Sequence, residues 1–310
     1  MIVTLTANPA IDRTITVDRL VFEDRAYILS TTESAGGRGI NASHVLASFG
    51  SNTLAILVSG GPNGKRMEEL LSKEGFPFEA VPIASEVRTN LTISDQQGLT
   101  VKLNEVGPTI TEKEAAHLEE VVAGRLDGVS WLMLCGSLPP GTTPQLYCRL
   151  VRVAQEKGVS TLLDTDGDAL LHALEVGPTI VKPNQQEAER LLNRALITRA
   201  HFLEAVTRIK GMGAHSVMLS LGARGVVAAS DEGAIEAIPP RVDALCPIGA
   251  GDASAAAFAW AAENGKPFAD CVRWAVAAGT ASARLPGTTF ANFEQTQAMS
   301  KGVEVRPAVL

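Results

Sequence analysis

Short apolar runs rich in β-branched residues recur along most of the chain with helix-patterned stretches between them, and this alternation constrains the fold more than any other feature. A helix between two strands returns the chain to the same end of the sheet, so the strands pair in parallel with helices covering the faces. The runs are Ile2 to Thr6, Thr53 to Val58, Trp131 to Leu134, Thr161 to Leu163, Thr179 to Val181 and Ser216 to Leu221. Helix ends are readable between them. Thr111 and Glu114 have capping-box spacing, Thr143 is followed by Pro144 at an expected first helical position, and Gly158 follows Lys157 where a C-terminal glycine belongs. Residues 11–34 and 87–105 break the rhythm, reading as strands with no intervening helix. They are expected to pair as a small β-lid on an α/β domain made of residues 1–10, 35–86 and 106–310; two unrelated hairpins are the plainer alternative.

Composition narrows the function classes. With 45% hydrophobic and 20% charged residues in 310, the chain can bury a real core, which excludes a disordered scaffold. The balance of 27 basic against 34 acidic residues leaves −7, so the surface as a whole repels nucleic acid and anionic lipid. An anionic ligand must therefore be held by a local site. Cys135, Cys148, Cys246 and Cys271 are scattered without metal-ligand spacing, which argues for a reducing compartment and against structural zinc. The opening MIVTLT is strand-like rather than signal-like, and no apolar run approaches the roughly 18 residues of a membrane span. A cytoplasmic location with no membrane or nucleic-acid partner is expected.

The segment richest in chemistry is Pro247-Ile-Gly249-Ala250-Gly251-Asp252-Ala-Ser254, which opens a helix of small residues. Glycines allow close backbone approach, and the first amides of a helix point a positive dipole end at a ligand, which suits phosphate. Gly249, Ala250 and Gly251 are thus a candidate anion hole. Asp252 either caps the helix or acts as a general base beside developing phosphoryl charge. Gly64-Lys65 lacks the Walker spacing, and Ser254 occupies the third glycine of a dinucleotide motif, so neither of those sites is present. A second cluster, Ala35-Gly36-Gly37-Arg38-Gly39-Ile40-Asn41, leads into an expected helix from Ala42 to Phe49. Its glycines could serve packing alone, but Arg38 beside exposed amides is a ready phosphate clamp. Asn41 and Asp12 could bind hydroxyls.

Together with Arg88-Thr89-Asn90, Gly136 to Gly141, Asp164, Lys182-Pro183-Asn184 with Glu187, and Ser220 to Gly225, these segments resemble the PfkB, or ribokinase-like, carbohydrate kinases, in the family's order and over nearly the whole chain. Within the family they resemble the phosphofructokinase branch. Asn8 to Asp12 and Lys102 to Pro108 look most like 1-phosphofructokinases. The resemblance implies a three-layer α/β/α fold with a mostly parallel central sheet and a β-lid, and phosphorylation of a sugar by ATP with Mg²⁺. It also implies a homodimer joined through the lids. Asp252 matches the catalytic base and Gly249 to Asp252 the anion hole. Asp12, Gly36, Gly37, Asn41, Asn90 and Ser137 match sugar-contacting positions. Lys182, Asn184, Ser220, Gly222, Gly225, Gly251, Val276 and Gly279 fall on the nucleotide side, and Asn184 with Glu187 matches a pair that organises Mg²⁺ largely through water. That pair also reads as an ordinary helix cap.

Positive charge at the sugar end bears on the substrate. Arg25, Arg38 and Arg88 are the candidates, with a solvated surface role as the alternative for Arg25. The fructose-1-phosphate and tagatose-6-phosphate branches usually carry lysine at the position of Arg38, and one 6-phosphofructokinase branch carries glycine; Ala253 also stands where many relatives have serine. Fructose 1-phosphate is the favoured acceptor, followed by fructose 6-phosphate or tagatose 6-phosphate. A neutral-sugar or nucleoside kinase and a non-catalytic sugar-phosphate sensor share the scaffold.

Overall fold

The computed structural model describes residues 1–21 and 23–308; residue 22 of the expected lid and residues 309 and 310 of the expected main domain lie outside the described residues. The chain begins with β1 (Ile2–Thr6), followed without a helix by β2 (Ala10–Val17) and β3 (Ile28–Gly36). Then come α1 (Arg38–Ser48), β4 (Thr53–Ser59), α2 (Gly61–Leu71), β5 (Phe78–Pro82), β6 (Arg88–Asp95) and β7 (Thr100–Asn104). A regular stretch follows: α3 (Glu112–Gly124), β8 (Trp131–Cys135), α4 (Gln145–Glu156), β9 (Ser160–Asp164), α5 (Gly167–Leu174), β10 (Ile180–Val181), α6 (Gln185–Leu192), α7 (Arg199–Gly211) and β11 (Ser216–Ser220). The chain closes with β12 (Val226–Ser230), β13 (Gly233–Ile238), α8 (Ala250–Glu263), α9 (Phe268–Ala283), α10 (Phe293–Ser300) and β14 (Glu304–Pro307).

Strands β5-β4-β1-β8-β9-β10-β11 lie side by side and parallel, and β12, β13 and β14 extend the sheet antiparallel. Burial follows the two-residue period of a strand. In β1, Val3 and Leu5 pack among residues of α3 to α7, while Ile2 packs among residues of α1, α8 and α9. On that second face Thr4 and Thr6 meet α1 through hydrogen bonds, Thr4 Oγ1 to Ser43 Oγ at 2.8 Å and Ile40 N to Thr6 Oγ1 at 3.0 Å. Each face of the sheet is therefore covered by helices, in the three-layer α/β/α arrangement the family resemblance implies. The chain leaves β1 toward β4 and β5 on one side and returns to β8 on the other. Sheets of this class bind ligands beyond the carboxyl ends of the strands at such a reversal.

The second sheet has the order β3-β2-β6-β7 and is the small lid sheet. Its register pairs Asp12 with Asn90 and Thr92 with Lys102, which puts the three polar residues Asp12, Asn90 and Lys102 on one face. Ile15, Leu91, Ile93, Val101 and Leu103 fall on the other, again by the period of two.

Local signals differ in how they compare with the coordinates. Thr111 and Glu114 make the capping box, and Gly158 closes a Schellman motif, with Val159 N donating to Ala154 O at 2.8 Å and Gly158 N to Gln155 O at 3.0 Å. Pro144, however, is the N-cap of α4 rather than its first residue. Helix α1 starts at Arg38, not Ala42, because Gly37 with φ 141° ends the preceding turn and frees the next residue to be helical. Strands β5, β12, β13 and β14 are absent from the sequence reading. β5 ends in Pro82 and β12 is rich in alanine, so neither has a strong strand signature. Among the described residues, no helix is long and apolar enough to cross a membrane.

Candidate active site

Strand ends and two helix N-termini converge beyond the carboxyl edge of the sheet. Gly249 has φ 78°, and its ring neighbour Phe290 leaves no room for a side chain: a Cβ there would lie 2.6 Å from Phe290 Cε1. That left-handed residue turns the chain into α8, whose first intrahelical bond runs from Ala253 N to Gly249 O at 2.9 Å. The Gly251 and Asp252 amides thus belong to the positive end of α8. The Ala250 amide donates to Pro247 O at 3.2 Å, so it stabilises the turn instead. Lys182 Nζ lies 3.5 Å from the point a Gly251 Cβ would occupy, which places a buried ammonium beside this turn.

Asp252 stands in the first turn of α8 and Asn41 in α1; Asn41 Nδ2 donates to Asp252 Oδ2 at 2.7 Å. Burial, reinforced by the Asp164 carboxylate, pushes the Asp252 carboxyl up to about 7, against the lowering influence of Asn41, Arg38 and Lys182. A carboxylate held near neutrality is suited to proton transfer at physiological pH. If Asp252 is the base, kcat/KM falls about tenfold per pH unit below about 7 and levels off above it. A pH profile of the wild-type enzyme flat from 8 to 5 contradicts that assignment.

Asp164 ends β9 and engages two cations. Its Oδ2 pairs with Lys182 Nζ at 3.0 Å and its Oδ1 with Arg38 Nη1 at 3.0 Å, while Arg38 Nη2 reaches Glu187 Oε1 at 3.1 Å. Asn184 and Glu187 form the capping box of α6: Asn184 N donates to Glu187 Oε2 at 2.8 Å, and Glu187 N to Asn184 Oδ1 at 2.9 Å. Arg38, Asp164, Lys182, Asn184 and Asp252 line a cavity of about 1450 Å³, together with Ser220, Gly222, Gly225, Gly251, Val276 and Gly279, and Glu187 is buried behind that wall. Gly222, with φ 60° and open space where a Cβ would be, leaves room there. Gly225 and Gly279 also allow packing, since a Cβ would meet Ala237 O at 2.1 Å and Ala250 O at 2.9 Å respectively. Among the described residues, no three histidine, cysteine or carboxylate groups form a metal cage. One carboxylate and one amide beside a large open cavity fit a hydrated magnesium ion carried with nucleotide phosphates.

The lid root supplies the other half. Asn90 Nδ2 donates to Asp12 Oδ1 at 2.9 Å, and burial raises the Asp12 carboxyl despite that bond and the nearby charges of Arg88 and Lys102. Gly36 leaves room for Asp12 at this point, since a Cβ would lie 2.2 Å from Asp12 Oδ2. Ser137 follows β8 and its Oγ accepts from Asn8 Nδ2 at 3.2 Å; Asn8 Oδ1 and Asn90 Oδ1 are buried without a hydrogen-bond partner. Arg88 ties three chain segments together, Nη1 to Glu105 O at 2.8 Å and Nη2 to Asn8 O at 3.0 Å, with Nε buried and unpartnered.

The other two expected sugar-end arginines have different surroundings. Arg25 is exposed on the loop between β2 and β3. Arg38 lines the cavity, but its guanidinium points across to Asp164 and Glu187, because α1 begins at Arg38 and the two buried carboxylates attract it. The sequence reading assigned no role to Asp164 or Asn8, although each stands in a quoted motif at a strand end. Phe290 carried no local signal at all.

Residues 5–295 match the family described as pfkB family carbohydrate kinase. The chain is 31% identical over 299 residues to ATP-dependent 6-phosphofructokinase isozyme 2 of Escherichia coli strain K12, covering 96% of each. It is 31% identical over 310 residues to 1-phosphofructokinase of Rhodobacter capsulatus, covering 98% of this chain and 97% of that protein. Tagatose-6-phosphate kinase of Staphylococcus epidermidis is 29% identical over 308 residues, with 98% and 99% covered. The solved structure of phosphofructokinase-2 from Escherichia coli in complex with substrates and products superposes with a TM-score of 0.90 at 31% identity, over 97% of this chain and 98% of that one. The chain therefore belongs to the pfkB family of carbohydrate kinases, in its phosphofructokinase-like branch. Identity does not single out the 1-phosphofructokinases from the other two kinds of relative.

Proposed function

We propose that this kinase transfers the terminal phosphoryl group of ATP to a free hydroxyl of a phosphorylated ketohexose, with fructose 1-phosphate the favoured acceptor and fructose 1,6-bisphosphate the product. The observation that carries the reading is Asp252: a carboxyl raised to about 7, fixed by Asn41, at the positive end of α8 and on the wall of the cavity. Asp252 takes the proton of the acceptor hydroxyl as its oxygen attacks phosphorus in line, and the bond from phosphorus to the ADP oxygen breaks. The Gly251 and Asp252 amides and Lys182 face the charge that develops on the transferred group. Glu187 and Asn184 would hold magnesium through water, and the ion when bound neutralises phosphate charge.

Asp12, Asn41, Asn90 and Ser137 orient the sugar, and Arg88 and Lys102 place two cations beside Asp12, which suits an acceptor that already carries phosphate. Segments 11–34 and 87–105 act as the lid, excluding water that would otherwise compete as nucleophile. Fructose 6-phosphate and tagatose 6-phosphate are the competing acceptors, since the relatives named for them match about as well. Initial rates with the three phosphorylated ketohexoses, fructose and ribose test the choice. A kcat/KM for fructose 1-phosphate at least about tenfold above the others supports it, and preference for an unphosphorylated sugar contradicts it.

The apolar face of the lid is taken to pair with a second copy of the chain. Leu103 is 52% exposed and Val101 39% exposed on it, and Ile28 and Leu29 stand out from edge strand β3. Edge strands and apolar faces of this kind are ordinarily covered. Val101→Asp combined with Leu103→Asp is expected to convert a dimer into a monomer in sedimentation velocity. A wild-type chain that sediments as a monomer at tens of micromolar removes the dimer reading.

A further inference from the structure

We propose that Arg38 is a tethered cation that occupies the metal side of the site before the nucleotide arrives, so that a divalent cation must compete with its guanidinium for the same carboxylate oxygens. The inference rests on the reading of Glu187 as the metal-side carboxylate.

The partners of the four carboxylate oxygens carry it. Glu187 Oε2 is held by the Asn184 amide in the capping box at 2.8 Å, and the remaining oxygen, Oε1, accepts from Arg38 Nη2 at 3.1 Å. Asp164 Oδ2 is held by Lys182 at 3.0 Å, and the remaining oxygen, Oδ1, accepts from Arg38 Nη1 at 3.0 Å. Arg38 thus engages the oxygen that each acid does not already commit to Asn184 or Lys182, so that every carboxylate oxygen has a cationic or amide partner. Its side chain is 34% exposed and lines the cavity, whereas the two acids are 4% and 3% exposed behind it. An ion approaching from the cavity meets the guanidinium before it meets the carboxylates.

Charge works in the same direction. A guanidinium is protonated at any working pH, so the positive charge between Asp164 and Glu187 is permanent. A divalent ion beside that charge is repelled and must also compete for the carboxylate oxygens. Magnesium that arrives already bound to nucleotide phosphates brings compensating negative charge, and the five donors of a displaced guanidinium suit phosphate oxygens. Arg38 in this way favours the metal–nucleotide complex over the bare ion. Lysine keeps the charge but has no fork to bridge two carboxylates, and a neutral residue has neither property.

The test is a titration of the nucleotide-free enzyme with Mn²⁺ alone, followed by electron paramagnetic resonance of the free ion. Arg38→Gln is expected to tighten Mn²⁺ binding by about tenfold to a hundredfold, with Arg38→Lys in between. Mn²⁺ should also raise the Tm of Arg38→Gln more than that of the wild type. Glu187→Gln in the Arg38→Gln background should abolish the gain. Unchanged or weaker Mn²⁺ binding in both Arg38 variants overturns the proposal. A gain that survives Glu187→Gln overturns instead the reading of Glu187 as the metal-side carboxylate. If Arg38→Gln does not fold, the lysine variant decides alone, since an affinity equal to wild type counts against the competition.

Discussion

Asp252→Asn is expected to lower kcat by roughly 10² to 10⁴ while making the protein more heat-stable at alkaline pH. The two effects come from one cause. In the folded chain the carboxyl titrates at about 7, against an ordinary value of 3.8, chiefly because burial disfavours its charged form. A carboxylate whose folded pKa is raised loses stability for the fold as pH climbs from about 4 through about 7, and the loss is complete above that. Asparagine has the same shape, can still accept from Asn41, and carries no charge to desolvate. The Tm gain should therefore be a few °C at pH 8 and vanish near pH 4. Differential scanning calorimetry at the two pH values, beside steady-state kinetics, reads both quantities. Near-normal turnover in the variant removes Asp252 as the base, and equal Tm at pH 8 removes the burial argument.

Gly36→Ala is expected to raise the KM for the sugar acceptor by about 100-fold, equivalent to about 2.7 kcal/mol, while the KM for ATP stays within about threefold. Gly36 is not in the left-handed region, so alanine is tolerated by the backbone. The conflict is local: the added methyl would lie 2.2 Å from Asp12 Oδ2 and 2.3 Å from its Cγ. Asp12 must swing away, losing its bond from Asn90 and its place in the sugar half of the site. The nucleotide cavity is lined by other elements, so its affinity should hardly move. A parallel rise in both KM values would mean that the glycine turn supports the whole site rather than the acceptor end.

The features legible in the sequence are those that a short segment decides for itself. Gly249 and Gly37 announce turns because their backbones need positive φ, and the capping boxes at Thr111 and Asn184 need only residues three apart. The parallel body of the sheet was legible because most of its strands are short runs dominated by apolar and β-branched residues. The alanine-rich β12 and the edge strands β5 and β14 acquire their structure from neighbours already in the sheet, so their own residues carry little signal. The site shows the same division. Asp252 and Arg38 stand in recognisable turns, yet what they do depends on partners far along the chain. Asn41 meets Asp252 across 211 residues, and Arg38 meets Asp164 and Glu187 across 126 and 149. A lone guanidinium in a glycine turn looks like a phosphate clamp; only the folded chain places two buried carboxylates behind it.

The central claim is that a phosphoryl group passes from ATP to a sugar that is already phosphorylated, at a site where Asp252 receives the acceptor's proton. Its most direct test is the stoichiometry of ADP and ketohexose bisphosphate formed from Mg-ATP and fructose 1-phosphate, fructose 6-phosphate or tagatose 6-phosphate, with fructose and ribose as controls. The account predicts one bisphosphate per ADP with at least one phosphorylated ketohexose and little ADP release with the neutral sugars. ADP release without bisphosphate, or turnover confined to fructose or ribose, would contradict it.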